Sequence, residues 1–218
     1  MKQHQDIRIR KQQYTNFASA SNPGGGVERG ANAQEECLCR CSGLFKCLNA
    51  PDAWSGFYMA HRAEHNPIHN DDIIYTPDAL VFKSDTVKPE LMDEADWYTV
   101  DVITCAAPNL REKPSNAFNT GDGKDAIKIQ IKSCWRFIKK RLRRILDVAL
   151  NNKVETIVLG AFGCGAFMNN PNVVAQASKN VLNEYLYAFK NIEFAVYCSP
   201  KDDINYRIFD GVLKPYTK

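Results

Sequence analysis

Residues 16–43 read NFASASNPGGGVERGANAQEECLCRCSG, placing three consecutive glycines, Gly24, Gly25 and Gly26, seven residues ahead of Gln34 and two adjacent carboxylates, Glu35 and Glu36. Glycine has no Cβ, so a chain turning here can take positive φ values and approach a bulky anionic group, with its N–H groups turned toward that group. The segment that follows, ANAQEECLCRCSGLFKCL, has helical spacing. Glu35 and Glu36 then stand in its first turn, where the positive end of the helix dipole favours negative side chains. That preference accounts for the acids but does not call for a triple glycine before them, so the two features together mark this stretch as the candidate site.

Working outward, residues 14–20 read as a buried strand of aromatic and small residues, closed by the turn at Asn22-Pro23-Gly24. Residues 1–13, MKQHQDIRIRKQQ, are polar and basic with Ile7 and Ile9 alternating, as in a tail or an outer edge strand. On the other side a helix is expected over 32–48, with Cys37, Cys41, Leu44 and Leu48 on one face. Cys37, Cys39, Cys41 and Cys47 invite a zinc reading, but CxCxC on a helix points its sulfurs in different directions and no second CxxC pair follows. Small buried thiols packing a core helix are the simpler reading.

Residues 49–72 read as a loop rich in aromatic, histidine and proline residues. Within it, His61-Arg62-Ala63-Glu64-His65 matches the HxxEH pattern of one class of zinc peptidase, which needs both histidines on a full helix. Asn66-Pro67 breaks any helix directly after His65, so a chance match in a solvated loop leading into a strand is the simpler reading of this pattern; no cofactor is expected.

Further along, short strands are expected at 73–75 and 79–82 around Pro77, then a polar excursion over 83–97 and a nearly continuous apolar strand over 98–107. A polar loop over 111–125 leads into the longest helix, 126–151, in which Ile127, Ile131, Trp135, Ile138, Leu142, Ile145 and Ala149 recur at helical steps. Lys139, Lys140, Arg141, Arg143 and Arg144 fall mostly on the other face. They form either a polymer-binding, nucleic-acid-binding or nuclear-import patch or the solvated side of an amphipathic helix, and the second reading is the simpler one.

A strand over 155–159 runs into GAFGCGAF at 160–167 and then a helix over 172–189. Strand, glycine-rich turn and helix is the arrangement in which backbone amides and a helix dipole hold phosphate, although this turn is neither a Walker loop nor a GxGxxG motif. A last strand is expected over 193–198, followed by a loop in which Tyr206 and Phe209 either stack on a base or close the core. Strands separated by helices in this order imply an α/β fold, a three-layer α/β/α sandwich with a mixed, largely parallel central sheet and its ligand at the carboxyl ends of the strands.

Composition sets outer bounds. A chain of 218 residues that is 44% hydrophobic is most simply one domain, and a formal charge of +3 is too mild to argue for nucleic-acid binding on its own. Eight irregularly spaced cysteines without a leader sequence point to a reducing, intracellular, cytoplasmic setting, and no apolar run reaches the ~20 residues of a membrane span.

Three segments carry a family resemblance. GGG, seven residues and QEE, within NFASA…NPGGG…GA.AQEE.LCR.S.L, resemble the hallmark of poly(ADP-ribose) glycohydrolases of the microbial type, and the likeness continues through VDVITCAAPN and VLGAFGCGAFMNNPNVVA. The resemblance implies a macrodomain spanning residues 1–218 and hydrolysis of ribose–ribose O-glycosidic bonds without a metal. It implies Glu36 as the general acid/base and Glu35 as the holder of the scissile ribose hydroxyls. Gly24, Gly25 and Gly26 would wrap the diphosphate, with Val27 and Gln34 also at the ADP-ribose. Gly163, Cys164, Gly165 and Ala166 would supply backbone donors, and Phe167 would press on the distal ribose.

The implied partners are poly(ADP-ribose) or ADP-ribosylated protein as substrate and ADP-ribose as product, with nucleic acid involved only where it carries ADP-ribose, no membrane, and a monomeric protein. Two departures from the family pattern stand out: a shorter segment ahead of NFASA, which bears on any adenine contact from that side, and His61 where asparagine is usual. Two other readings share the fold: a mono-ADP-ribosyl hydrolase acting on protein or nucleic acid, and a non-catalytic ADP-ribose-binding module.

Overall fold

The structure is a computed structural model that describes residues 11–86, 88–111 and 131–216. The expected tail or edge strand up to residue 10, nearly all of the polar loop over 111–125, and residues 126–130 of the longest helix lie outside the described residues.

Five strands form one mixed sheet: β1 (Gln12–Phe17), β2 (Ile73–Val81), β3 (Tyr98–Cys105), β4 (Thr156–Gly160) and β5 (Asn191–Ala195), in the order β2-β3-β1-β4-β5. β3, β1, β4 and β5 run parallel, and β2 pairs antiparallel with β3 at one edge. The two short strands expected around Pro77 are one strand with an irregularity between Thr76 and Ala79. Asp78 takes φ +50° there, and buried Asp101 holds the bulge by accepting from its N–H (3.1 Å) and from the Tyr75 hydroxyl.

Side-chain alternation along β3 divides the interior. Ile103 and Cys105 face one core, where α5 (Ile131–Asn151), α6 (Pro171–Tyr185) and α7 (Ile204–Leu213) contribute Ile138, Leu142, Ile145, Val174, Val181 and Phe209. Val100 and Val102 face a second core with Cys39, Leu44 and Leu48. Helices thus cover both faces, which gives the α/β/α sandwich. Among the described residues no helix is long and apolar enough to cross a membrane.

Several expectations need correction. The helix over 32–48 is two helices, α1 (Gln34–Cys41) and α2 (Leu44–Leu48). Ser42 is extended, bridges to Val81 and donates its hydroxyl to Leu38 O while accepting from Leu44 N–H, so a contact with the sheet edge outcompetes helix continuation. The buried face of α1 is Glu35, Glu36, Cys39 and Cys41, with Cys37 half-buried.

The expected loop over 49–72 is largely helical: α3 (Pro51–Ala53), opened by its proline, runs through a π turn (Trp54–Tyr58) into α4 (Met59–Glu64). His65 ends it at φ +46°, directly before Asn66-Pro67.

Arg141 is not on the solvated side of α5. It is 1% exposed and donates to Ala106 O (2.9 Å), Ile68 O (2.5 Å) and His69 O (2.7 Å) while pairing with Asp71. Its neighbours are surface groups, Lys140 on Asp71 and Arg143 on Glu184. Tyr206 and Phe209 lie on α7 rather than in a loop, and Phe209 is core, 5.9 Å from the Phe194 ring.

Candidate active site

Three neighbouring parallel strands, β1, β3 and β4, end at Phe17, Cys105 and Gly160, and the loops leaving them line one cavity of about 480 Å³. Open α/β sheets offer ligands a crevice at this edge. Gly160 is glycine because a Cβ there would lie 2.7 Å from Ala195 O and 2.8 Å from the Phe17 ring.

The glycine turn and α1 meet at the two acids. Gln34 docks α1 onto the sheet, its amide donating to Thr15 O (2.7 Å) and accepting from Phe17 N–H (2.8 Å). That anchor carries Glu35 and Glu36 into the cavity wall, 3% and 7% exposed. Glu36 Oε1 accepts from Gly26 N–H at 2.8 Å, while its Oε2 is buried without a hydrogen-bond partner among the described residues. Glu35 accepts from Ser19 N–H (2.7 Å) and Asn16 Nδ2 (3.3 Å), and Asn16 also donates to Thr104 Oγ1.

Burial pushes the Glu35 carboxyl up to about 8, with Glu36 beside it adding to the rise and the bonds from Ser19 and Asn16 opposing it. At neutral pH Glu35 is therefore mostly a neutral acid, able to donate a hydrogen bond and spared repulsion with its neighbour.

The first loop does not offer its amides in the expected way. Gly25 N–H is bonded to Asn22 O, Gly26 N–H to Glu36 and Val27 N–H to Gly24 O. Its glycines instead make room: Gly25, at φ +59°, lies directly over the two carboxyls. Gly25, Gly26, Gln34, Glu35 and Glu36 line the cavity, whereas Gly24 and Val27 do not; a Cβ on Gly24 would meet Phe45, and Val27 packs with the second core.

In the second loop Gly163, Gly165, Ala166 and Phe167 line the cavity. Cys164 does not, because its side chain packs on the large core and its N–H is bonded to Ala161 O. The N–H groups of Gly165, Ala166 and Phe167 have no acceptor among the described residues. The aromatic helices of 51–64 stand behind Phe167: His69 lies 5.9 Å from its ring and 5.8 Å from His61, which packs on Phe57 at 4.3 Å. Burial lowers the His69 pKa to about 3, so the ring nearest Phe167 stays neutral.

The HxxEH pair does not converge. His61 is buried with Nδ1 at Phe57 O, and His65 is exposed beyond the end of the helix. No group of three or more His, Cys, Asp or Glu side chains among the described residues is placed to hold a metal.

Residues 3–84, which include the glycine turn and both acids, match the model of the microbial-type PARG (poly(ADP-ribose) glycohydrolase) catalytic domain. The poly(ADP-ribose) glycohydrolase of Deinococcus radiodurans in complex with ADP-ribose is 32% identical, with a TM-score of 0.79 over 95% of this chain and 77% of that one. The chain belongs to the microbial-type poly(ADP-ribose) glycohydrolase family. A second member, from Thermomonospora curvata and bound to the inhibitor ADP-HPD, is 31% identical with a TM-score of 0.79, over 92% of this chain and 70% of that one. A search of curated proteins finds no match.

Polar residues that line or brace this site but were not expected there from sequence include Asn16, Ser19, Arg29 and Arg111. Asn16 lay in the quoted strand, and Arg29 is the one basic residue between GGG and QEE, so a signal for each was present.

Proposed function

We propose that this chain hydrolyses the ribose–ribose O-glycosidic bond of poly(ADP-ribose) on a single macrodomain, with Glu36 as general acid and base. The observation that carries the proposal is the state of the Glu36 carboxyl: one oxygen is fixed by Gly26 N–H at 2.8 Å, and the other is buried at the cavity wall without a partner. A carboxyl held in this way is oriented yet still has a site for a proton.

Cleavage passes through a transition state with positive charge on the sugar ring. Glu36 donates its proton to the departing ribose oxygen as the C1–O bond breaks. A water then adds to C1 and returns a proton to Glu36, which restores the enzyme and gives ADP-ribose and a shortened polymer. Glu35, neutral at pH 7, donates to a hydroxyl of the scissile ribose. The unoccupied N–H groups of Gly165, Ala166 and Phe167 receive the diphosphate, and the Phe167 ring packs on the distal ribose.

Release of labelled ADP-ribose from polymer, from mono-ADP-ribosylated protein and from ADP-ribosylated DNA tests this reading. Release from polymer is expected. Release from the mono-modified substrates alone would make the enzyme a mono-ADP-ribosyl hydrolase, and binding without release would make it an ADP-ribose-binding module.

A further inference from the structure

Each of the two loops at the cavity is accompanied by an arginine. Arg29 stands three residues after Gly26 in a 3₁₀ turn (Val27–Arg29), its own N–H bonded to Gly26 O at 2.9 Å. Arg111 lies at the end of the stretch leaving β3, which is tied to the second loop by Leu110 N–H to Phe167 O (2.9 Å) and Asn169 Nδ2 to Pro108 O (2.7 Å). Both arginines line the cavity, Arg29 exposed and Arg111 half-buried, and the other charged side chains lining it are the buried Glu35 and Glu36. Among the described residues no carboxylate is paired with either guanidinium.

This arrangement completes what the backbone leaves undone. The N–H groups of Gly25, Gly26 and Val27 are occupied internally, so an anion entering between the loops meets no amide of theirs on the first-loop side. Guanidinium groups are suited to bidentate bonds with phosphate oxygens. We propose that Arg29 and Arg111 form a two-sided clamp on the diphosphate of the bound ADP-ribose unit, with Arg29 supplying from a side chain the donors that the first loop withholds. The clamp sets the ligand's polarity: phosphates lie against cations at the exposed wall and the ribose lies against the buried acids. This inference rests on the function proposed above.

Calorimetric titration of the full chain with ADP-ribose over a KCl series tests it. Arg29→Ala and Arg111→Ala should each weaken binding about 10-fold. The double variant should lose much of the salt dependence shown by the wild type, because the screened charges are gone. Arg29→Lys, which keeps the charge, should recover part of the loss, and thermal midpoints equal to the wild type should confirm that each variant is folded. Wild-type affinity with an unchanged salt slope in the double variant overturns the clamp and leaves the proposed function standing. Failure of the wild type to bind ADP-ribose removes the proposed function and the clamp with it.

Discussion

Gly25 and Glu36 are in direct contact: a Cβ on Gly25 would lie 2.5 Å from Glu36 Oε1 and 3.0 Å from Glu35 Oε2, at a backbone φ of +59°. The glycine turn therefore acts as the lid of an acid pocket, in addition to being a flexible bend. Gly25→Ala combines left-handed strain of about 1–2 kcal/mol with displacement of the carboxyl that is expected to do the chemistry. We expect a lower thermal midpoint and a loss of turnover measured on polymer; wild-type turnover in this variant would show that the contact is unimportant.

The second loop supplies a contrast between two glycines. A Cβ on Gly163, at φ +73°, would meet the Ala107 Cβ at 2.5 Å and Asn169 Nδ2 at 2.6 Å, whereas Gly165 has open space around its Cβ position. Gly163→Ala should destabilise by about 1–3 kcal/mol, while Gly165→Ala should leave the unfolding free energy measured in urea within about 0.5 kcal/mol of wild type.

Arg141 should be the most costly arginine to lose. Its truncation strands the carbonyls of Ile68, His69 and Ala106 and leaves Asp71 with Lys140 alone. Arg141→Ala is expected to cost about 3–5 kcal/mol in urea unfolding. The exposed Arg144→Ala should change stability by less than about 0.5 kcal/mol.

Stability should also depend on pH through Glu35. Its folded-state pKa is about 8 against an ordinary value of 4.5, so between these values the folded chain holds a proton that the unfolded chain has released. The contribution of Glu35 is therefore neutral below 4.5, becomes increasingly destabilising as pH rises toward 8, and is constant above that. Glu35→Gln should remove this downward slope when unfolding free energy is measured over the same range; an identical slope in the variant would place its origin elsewhere.

Much of this architecture was legible from short-range chemistry. Apolar runs marked β3 and β4, the 3.6-residue period marked α5, and the glycine positions marked both loops. What the sequence hid was decided by distant partners. Ser42 interrupts a continuous helical pattern because Val81 lies beside it, and Arg141 leaves a run of basic residues for the interior because three carbonyls and Asp71 converge there. In the same way, glycine spacing announced a loop close to a charged group. It could not say that the group met by Gly26 N–H would be the protein's own Glu36.

The most direct measurement compares turnover and binding in Glu36→Gln. Glutamine keeps an oxygen able to accept from Gly26 N–H but cannot donate the proton that the leaving ribose needs. The account predicts that release of ADP-ribose from polymer falls by at least about 10³-fold while ADP-ribose still binds within about 10-fold of wild type. Near-normal release from polymer by this variant would contradict it.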